Sequence, residues 1–204
     1  MTATLAVVIL AGGDGARFGG NKPGQLLHGR PLIVHALRLA QQWSDHVAIA
    51  ARRTTTLPDD PALAGIPVLT DAEADGGPLS GIASGLAHAQ AIKANHVLII
   101  PCDMPMLPHD LPAMLLSALK DASVALPEVA GRAVPVCSLW RTGTIHALPA
   151  FRATGGDSPF GFAKAVGIAL LPVDATAAWS NINDPAALAT AQQLHIPLQT
   201  RQEG

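Results

Sequence analysis

Charge and aromatic side chains are both scarce in this 204-residue chain. Asp, Glu, Lys and Arg together make up 14% of it, and Phe, Trp and Tyr only 3%, with no tyrosine at all. So few aromatics mean a core built mainly from aliphatic side chains and alanine. With 49% hydrophobic residues the low charge excludes disorder, which needs low hydrophobicity and high net charge. A formal charge of −2 offers no general attraction for nucleic acid or anionic lipid, so any bound anion must be held by a local site. Cysteine is nearly absent: Cys102 and Cys137 lie far apart and in no metal-ligand spacing, which reads as two reduced, packed thiols rather than a disulfide or zinc framework. None of the eight histidines forms H-E-x-x-H or a Cys/His cluster, which argues against hydrolytic zinc chemistry. No stretch reaches the roughly 18 to 20 apolar residues that span a bilayer. The N-terminal apolar run from Leu5 to Ala11 has no basic flank and stops at Gly12-Gly13. The expectation is a cytoplasmic protein with neither a membrane nor a nucleic-acid partner.

What is present is a strong alternation of patterns. Thr4–Leu10, His46–Ala50, Pro67–Thr70 and His96–Ile100 are continuous apolar runs, the mark of strands buried on both faces of a parallel sheet. Between them, Leu32, Ile33, Ala36, Leu37 and Ala40 form a helical stripe, as do Leu79, Ile82, Ala83 and Leu86, and again Leu111, Met114, Leu115, Ala118 and Leu119. Buried strands alternating with amphipathic helices predict βαβ units and a three-layer α/β/α sandwich with a mostly parallel, Rossmann-like sheet. The second half is less regular, with strands expected at 123–126, 133–139 and 168–173 and helices near 144–153, 159–166 and 185–194. No repeat, low-complexity tract or linker interrupts the sequence, so one domain is expected over 1–204.

Ligands of open parallel sheets bind outside the carboxyl ends of the strands, and three of those loops are unusual. The first runs from Leu10 to Lys22 and holds five glycines with Arg17 and Lys22. Glycine lets the backbone approach a ligand and turn successive N–H groups inward as an anion nest, and the two cations add charge, so the loop reads as phosphate-binding rather than as a plain surface loop. It misses G-x-G-x-x-G, because Phe18 stands where the third glycine belongs, and it misses the Walker loop, because Asn21 precedes Lys22 and Pro23 replaces the hydroxyl.

The second loop, Gly76 to Gly81, opens a helix with Pro78 near its first turn. It is either a simple helix start or an N-terminus that receives an anion or a base edge. Ser80 and Ser84 are not in G-x-S-x-G and are no nucleophile elbow. The third places Asp103 just past the most hydrophobic strand. A carboxylate there, facing a polyphosphate loop, suits Mg²⁺, which takes one or two carboxylates plus phosphate oxygens and water; the alternative is a turn-capping aspartate. Asp71 after the third strand reads by itself as a turn residue, and Asn183 or Asp184 as an N-cap. Arg52-Arg53 reads as solvated surface, or as a reach toward an anionic second substrate.

Together these loops resemble nucleotidyltransferases of the molybdenum cofactor guanylyltransferase type, whose signature is Leu-Ala-Gly-Gly, Arg-x-Gly and Lys. Here those are Leu10-Ala11-Gly12-Gly13, Arg17-Phe18-Gly19 and Lys22, followed by Gly29-Arg30-Pro31-Leu32 at the entry to the next helix. Gly77-Pro78-Leu79-Ser80-Gly81 matches the family's Gly-Pro-Leu-x-Gly at the base. Pro101-Cys102-Asp103-Met104-Pro105 matches its metal motif, and Asn181-Ile182-Asn183-Asp184-Pro185 its C-terminal Asn-x-Asn.

The resemblance implies nucleotide contacts from Leu10, Ala11, Gly12, Gly13, Lys22, Asp71, Gly77, Pro78, Leu79, Gly81 and Asp103. It implies Mg²⁺ on Asp103, charge neutralisation by Arg17 and Lys22, and an acceptor side at Asn181 and Asn183. Relatives that use CTP tend to carry Leu-Ala-Ala-Gly and to lack Gly-Pro-Leu, so the implied donor is GTP. The implied acceptor is the phosphate of molybdopterin, and a molybdoenzyme or its chaperone is an implied partner. Two positions depart from the pattern: Ala50 stands where the family often has Asn at the end of the second strand, and Pro23 after the loop lysine is unusual. The rival readings are a relative that transfers CMP or acts on a sugar or alcohol phosphate, and a non-catalytic GTP-binding partner of a molybdoenzyme. A third, an NADP-dependent Rossmann enzyme, is disfavoured by the glycine spacing.

Overall fold

Burial on both faces is what the first strand was expected to show, and in the computed structural model Ala6, Val7, Val8 and Ile9 of β1 (Leu5–Leu10) are all fully inaccessible. The structure describes residues 4–13, 18, 20–70 and 77–194; Arg17 and Asp71 lie outside them. A small hairpin, β2 (Leu26–Leu27) and β3 (Arg30–Pro31), leads into α1 (Leu32–Trp43). Then come β4 (Val47–Ala51), β5 (Val68–Thr70), α2 (Gly77–Ala91), β6 (His96–Pro101) and α3 (Leu111–Leu119). The remainder comprises β7 (Val124–Val129), β8 (Arg132–Ala133), β9 (Ser138–Arg141), α4 (Leu148–Ala153), α5 (Pro159–Val166), β10 (Ile168–Val173) and α6 (Pro185–Ala191).

The main sheet runs β10-β7-β9-β6-β1-β4-β5, with β8 beside β7. Pairings β1–β4, β1–β6, β4–β5 and β10–β7 are parallel, whereas β9 is antiparallel to both β6 and β7. Odd and even residues of the strands feed two separate helical layers. Val7, Ile9, Leu98 and Ile100 pack with α1 and α3; Ala6, Val8, Val97 and Ile99 pack with α2 and α5. This is the three-layer α/β/α sandwich.

The less regular half differs from its pattern at two places. Residues 133–139 are not one strand: Pro135 has no N–H to give a ladder, and a turn forms there, with Cys137 N–H donating to Val134 O at 3.0 Å and Ser138 Oγ to Pro135 O at 2.7 Å. Residues 144–153 are also not one helix. A 3₁₀ segment, Thr142–Ala147, precedes α4 and carries Gly143, a poor helix former.

The chain goes from β1 outward to β4 and β5, then returns to the other side of β1 as β6. That reversal between β1 and β6 is the switch point at which an open α/β sheet opens a crevice.

Candidate nucleotide-binding site

The carboxyl ends of the three central strands are laced together. Ala11 N–H donates to Ala50 O at 2.8 Å and Cys102 N–H to Leu10 O at 3.0 Å. Above them lies a cleft of about 210 Å³, whose wall includes Leu10 to Gly13, Lys22, Ala50, Arg52, Gly77, Pro78, Gly81, Asp103 and Asn181. Apart from Leu79 and Asn183, every described residue carried over from the resemblance lines it. Leu79 is 1% exposed and packs into the core beneath α2, so its part is to seat the helix that presents Gly77 and Pro78.

α2 reaches the cleft because two glycines face the sheet. A Cβ on Gly81 would stand 2.8 Å from Leu10 Cδ2, and one on Gly85 would stand 3.0 Å from Ile99 Cδ1 and 3.3 Å from Val8. The helix therefore lies closer to β1 and β6 than any larger residue allows, and its N-terminus, with partial positive charge, opens onto the cleft.

Lys22 is placed by a short 3₁₀ turn, Lys22–Gly24, in which Pro23 is buried. A proline early in a helical turn lacks only an N–H that has no partner there, so the residue that departed from the family pattern sets the turn holding the lysine. The Lys22 ammonium forms an ion pair with Asp103 Oδ2 and also donates to Asn183 Oδ1 at 2.5 Å. Asp103 is 5% exposed, the only buried carboxylate among the described residues, and its Oδ1 accepts no hydrogen bond.

Asn183 reaches the site because the preceding residue is fastened there. Ile182 N–H donates to Asp103 O at 2.9 Å, and its side chain is buried with Leu27, Leu32 and Ala191. Asp184, not Asn183, caps α6, accepting from Ala187 N–H at 2.8 Å.

Three residues thus meet from sequence separations of 81 and 161 positions. The bare oxygen of the one buried carboxylate could hold a hard divalent cation shared with phosphate oxygens, and the ammonium beside it suits a phosphate. Among the described residues no cluster of three or more His, Cys, Asp or Glu forms a cage that would hold a metal without such help.

Cys102 also lines the cleft, but burial, with Asp103 beside it, pushes its thiol up to about 12. It is protonated at neutral pH and is no nucleophile. Arg52, whose sequence pattern fits either solvated surface or a reach toward an anionic second substrate, stands at the cleft. It lies along the cleft wall with its Cγ 3.2 Å from where a Gly12 Cβ would be. Its signal was position alone: it stands just past the carboxyl end of the strand next to β1. Arg52 also borders a smaller side pocket with Thr54, Thr55 and Thr56.

A glycine loop, a buried carboxylate and a lysine gathered at the switch point of a parallel sheet define a nucleotidyltransferase, a class that moves a nucleotidyl group and generally uses a divalent metal. The chain belongs to the MobA-like NTP transferase family, whose domain model matches residues 7–165. It is 37% identical over 191 residues to a molybdenum cofactor guanylyltransferase of Cereibacter sphaeroides, spanning 92% of this chain and 95% of that one. It is 37% identical over 195 residues to one from Pasteurella multocida, spanning 93% and 100%. Among solved structures, molybdopterin-guanine dinucleotide biosynthesis protein A from Archaeoglobus fulgidus shares the fold with a TM-score of 0.73 at 19% identity, over 92% of this chain and 97% of that one. 2-C-methyl-D-erythritol 4-phosphate cytidylyltransferase from Thermus thermophilus shares it at 0.68 and 21%, over 93% and 98%. Among the described residues no helix is long and apolar enough to cross a membrane.

Proposed function

We propose that this protein transfers GMP from GTP to the terminal phosphate of molybdopterin and releases pyrophosphate. The observation that carries this reading is the convergence of Lys22, Asp103 and Asn183 at the switch-point cleft, in a chain 37% identical to molybdenum cofactor guanylyltransferases.

An oxygen of the acceptor phosphate attacks the α-phosphorus, a new P–O–P bond forms, and the bond to the β-phosphate breaks. The acceptor is already an anion, so no proton has to be removed and no protein nucleophile is needed. The work is positioning and charge neutralisation. The Gly12–Gly20 loop would wrap the triphosphate, and Arg17 and Lys22 would offset the charge that develops on the leaving pyrophosphate. The apolar end of the cleft, at Ala50, Gly77 and Pro78, receives the base, and Asp71 adds a contact to the nucleotide. Asn181 and Asn183 stand on the acceptor side. Asp103 would hold Mg²⁺, which when bound would supply Lewis-acid polarisation of the phosphate oxygens. A molybdoenzyme or its chaperone receives the product, in the cytoplasm.

Pyrophosphate release is measured with GTP, CTP and ATP, each with and without molybdopterin, in Mg²⁺. Turnover is expected only with GTP and acceptor together. Preference for CTP rejects the donor, and GTP binding without pyrophosphate release under any acceptor favours a binding partner over an enzyme. Asp103→Asn should keep the fold and lose turnover by on the order of a thousandfold or more, the scale of removing several kcal/mol of charge stabilisation.

A further inference from the structure

The two oxygens of Asp103 have different standing. Oδ2 takes the Lys22 ammonium, while Oδ1, in a residue 5% exposed, accepts nothing. A divalent cation bound to this carboxylate therefore meets a positive charge already on it, inside a wall that water screens poorly. Lys22 is not confined to Asp103, because Asn183 Oδ1 gives it a second, neutral acceptor at 2.5 Å. Asn183 is itself anchored through the Ile182 N–H bond to Asp103 O, so this acceptor stays beside the carboxylate.

We propose that, before the nucleotide arrives, Lys22 competes with the divalent cation for Asp103. The phosphates of the nucleotide end the competition by drawing the ammonium away, with Asn183 holding it during the exchange. This rests on the reading of Asp103 as the cation ligand. Its consequence is that the protein without nucleotide binds the cation weakly, and cation and nucleotide enter together. Pro23 and the 3₁₀ turn keep the lysine at the carboxylate, which makes the competition a built feature of the fold.

The test uses Mn²⁺ alone as the probe on nucleotide-free protein, with the loss of its free electron paramagnetic resonance signal as readout. Lys22→Gln is expected to bind Mn²⁺ roughly tenfold more tightly than the parent, a change of one decade. Lys22→Arg, which keeps the charge, is expected to stay close to the parent, and Asp103→Asn to lose the site. If Lys22→Gln binds equally or more weakly while Asp103→Asn loses binding, the competition is wrong and the ligand assignment stands. If Lys22→Arg tightens binding as much as Lys22→Gln, charge is not the cause and the proposal also fails. If Asp103→Asn binds as well as the parent, the ligand assignment falls and takes the proposal with it. Circular dichroism checks each fold, and Lys22→Met replaces a glutamine variant that fails to fold.

Discussion

The two halves of the sheet are built by different means. Strands β5, β4, β1 and β6 are all parallel, and their interior is aliphatic and small: Val, Ile, Leu and Ala from the strands meet Gly81 and Gly85 of α2. Beyond β6 the antiparallel β9 intervenes, and an aromatic group takes over the packing. Trp140 stacks on Phe162 with centroids 5.4 Å apart, and Phe151 lies 5.3 Å from Phe162. The Trp140 N–H donates to Ser138 Oγ at 2.7 Å, so its one polar atom is satisfied inside the core. The difference teaches what each half is for. Small side chains let α2 lie close to the strands and bring its N-terminus to the cleft, where a nucleotide needs backbone. The aromatic half lies mostly away from the cleft and uses bulk to fill the space under α5. It gives the site its loop residue Val136 in the cleft wall and the 181–185 segment.

Cutting the aromatic group should show this division most strongly. Trp140→Ala removes a fully buried indole with two partners and is expected to cost about 3–5 kcal/mol, read from urea unfolding, while nucleotide affinity of the folded fraction is essentially unchanged. A matching loss of affinity would show that the halves are not separable. The reverse experiment is Gly85→Val. The added Cβ meets Ile99 Cδ1 at 3.0 Å and Val8 at 3.3 Å and has no room on the sheet. A smaller loss of about 1–3 kcal/mol is expected, together with a raised KM for the nucleotide, because α2 must lift away from the cleft.

How much of this was legible follows the same division. Double-sided burial forces an uninterrupted apolar run, so β1 and β6 could be read directly, and with them the loops at their ends, including Lys22 and Asp103. What could not be read was the meeting of Lys22, Asp103 and Asn183, since contacts across 81 and 161 positions leave no local pattern. The local pattern at Asn183 fits either a cap or an acceptor contact; the structure gives the cap to Asp184 and puts Asn183 on Lys22. In the aromatic half, Ala133 to Leu139 has the composition of a strand, and the turn at Pro135 overrides it through a missing donor. Two adjacent arginines have the pattern of solvated surface; only the adjacency of β4 to β1 places Arg52 at the cleft.

Smaller effects sharpen the boundary between the halves. Asp184→Ala removes the cap of α6 and is expected to cost about 1 kcal/mol, or roughly 2–4 °C in Tm for a chain of this size. The 181–185 segment belongs by position to the second half but is fastened to Asp103. A larger loss in turnover than in stability would therefore mark it as part of the site.

Leu170→Thr should have the smallest effect. Leu170 lies on β10, the edge strand of the aromatic half, and is 41% exposed, so little apolar area leaves the core when it is shortened. Threonine is branched at Cβ, a shape that strands favour, and the ladder between Ile168–Val173 and Val124–Val129 uses only backbone groups. The expected change is within about 0.5 kcal/mol, with no change in KM. The substitution is informative because Val8 and Ile99, on the same side of the sheet at β1 and β6, are fully buried. A polar residue tolerated at 170 and not at 8 or 99 shows that covering helices enforce the apolar runs of the central strands. Equal tolerance at all three positions would remove the distinction between the edge strand and the central ones.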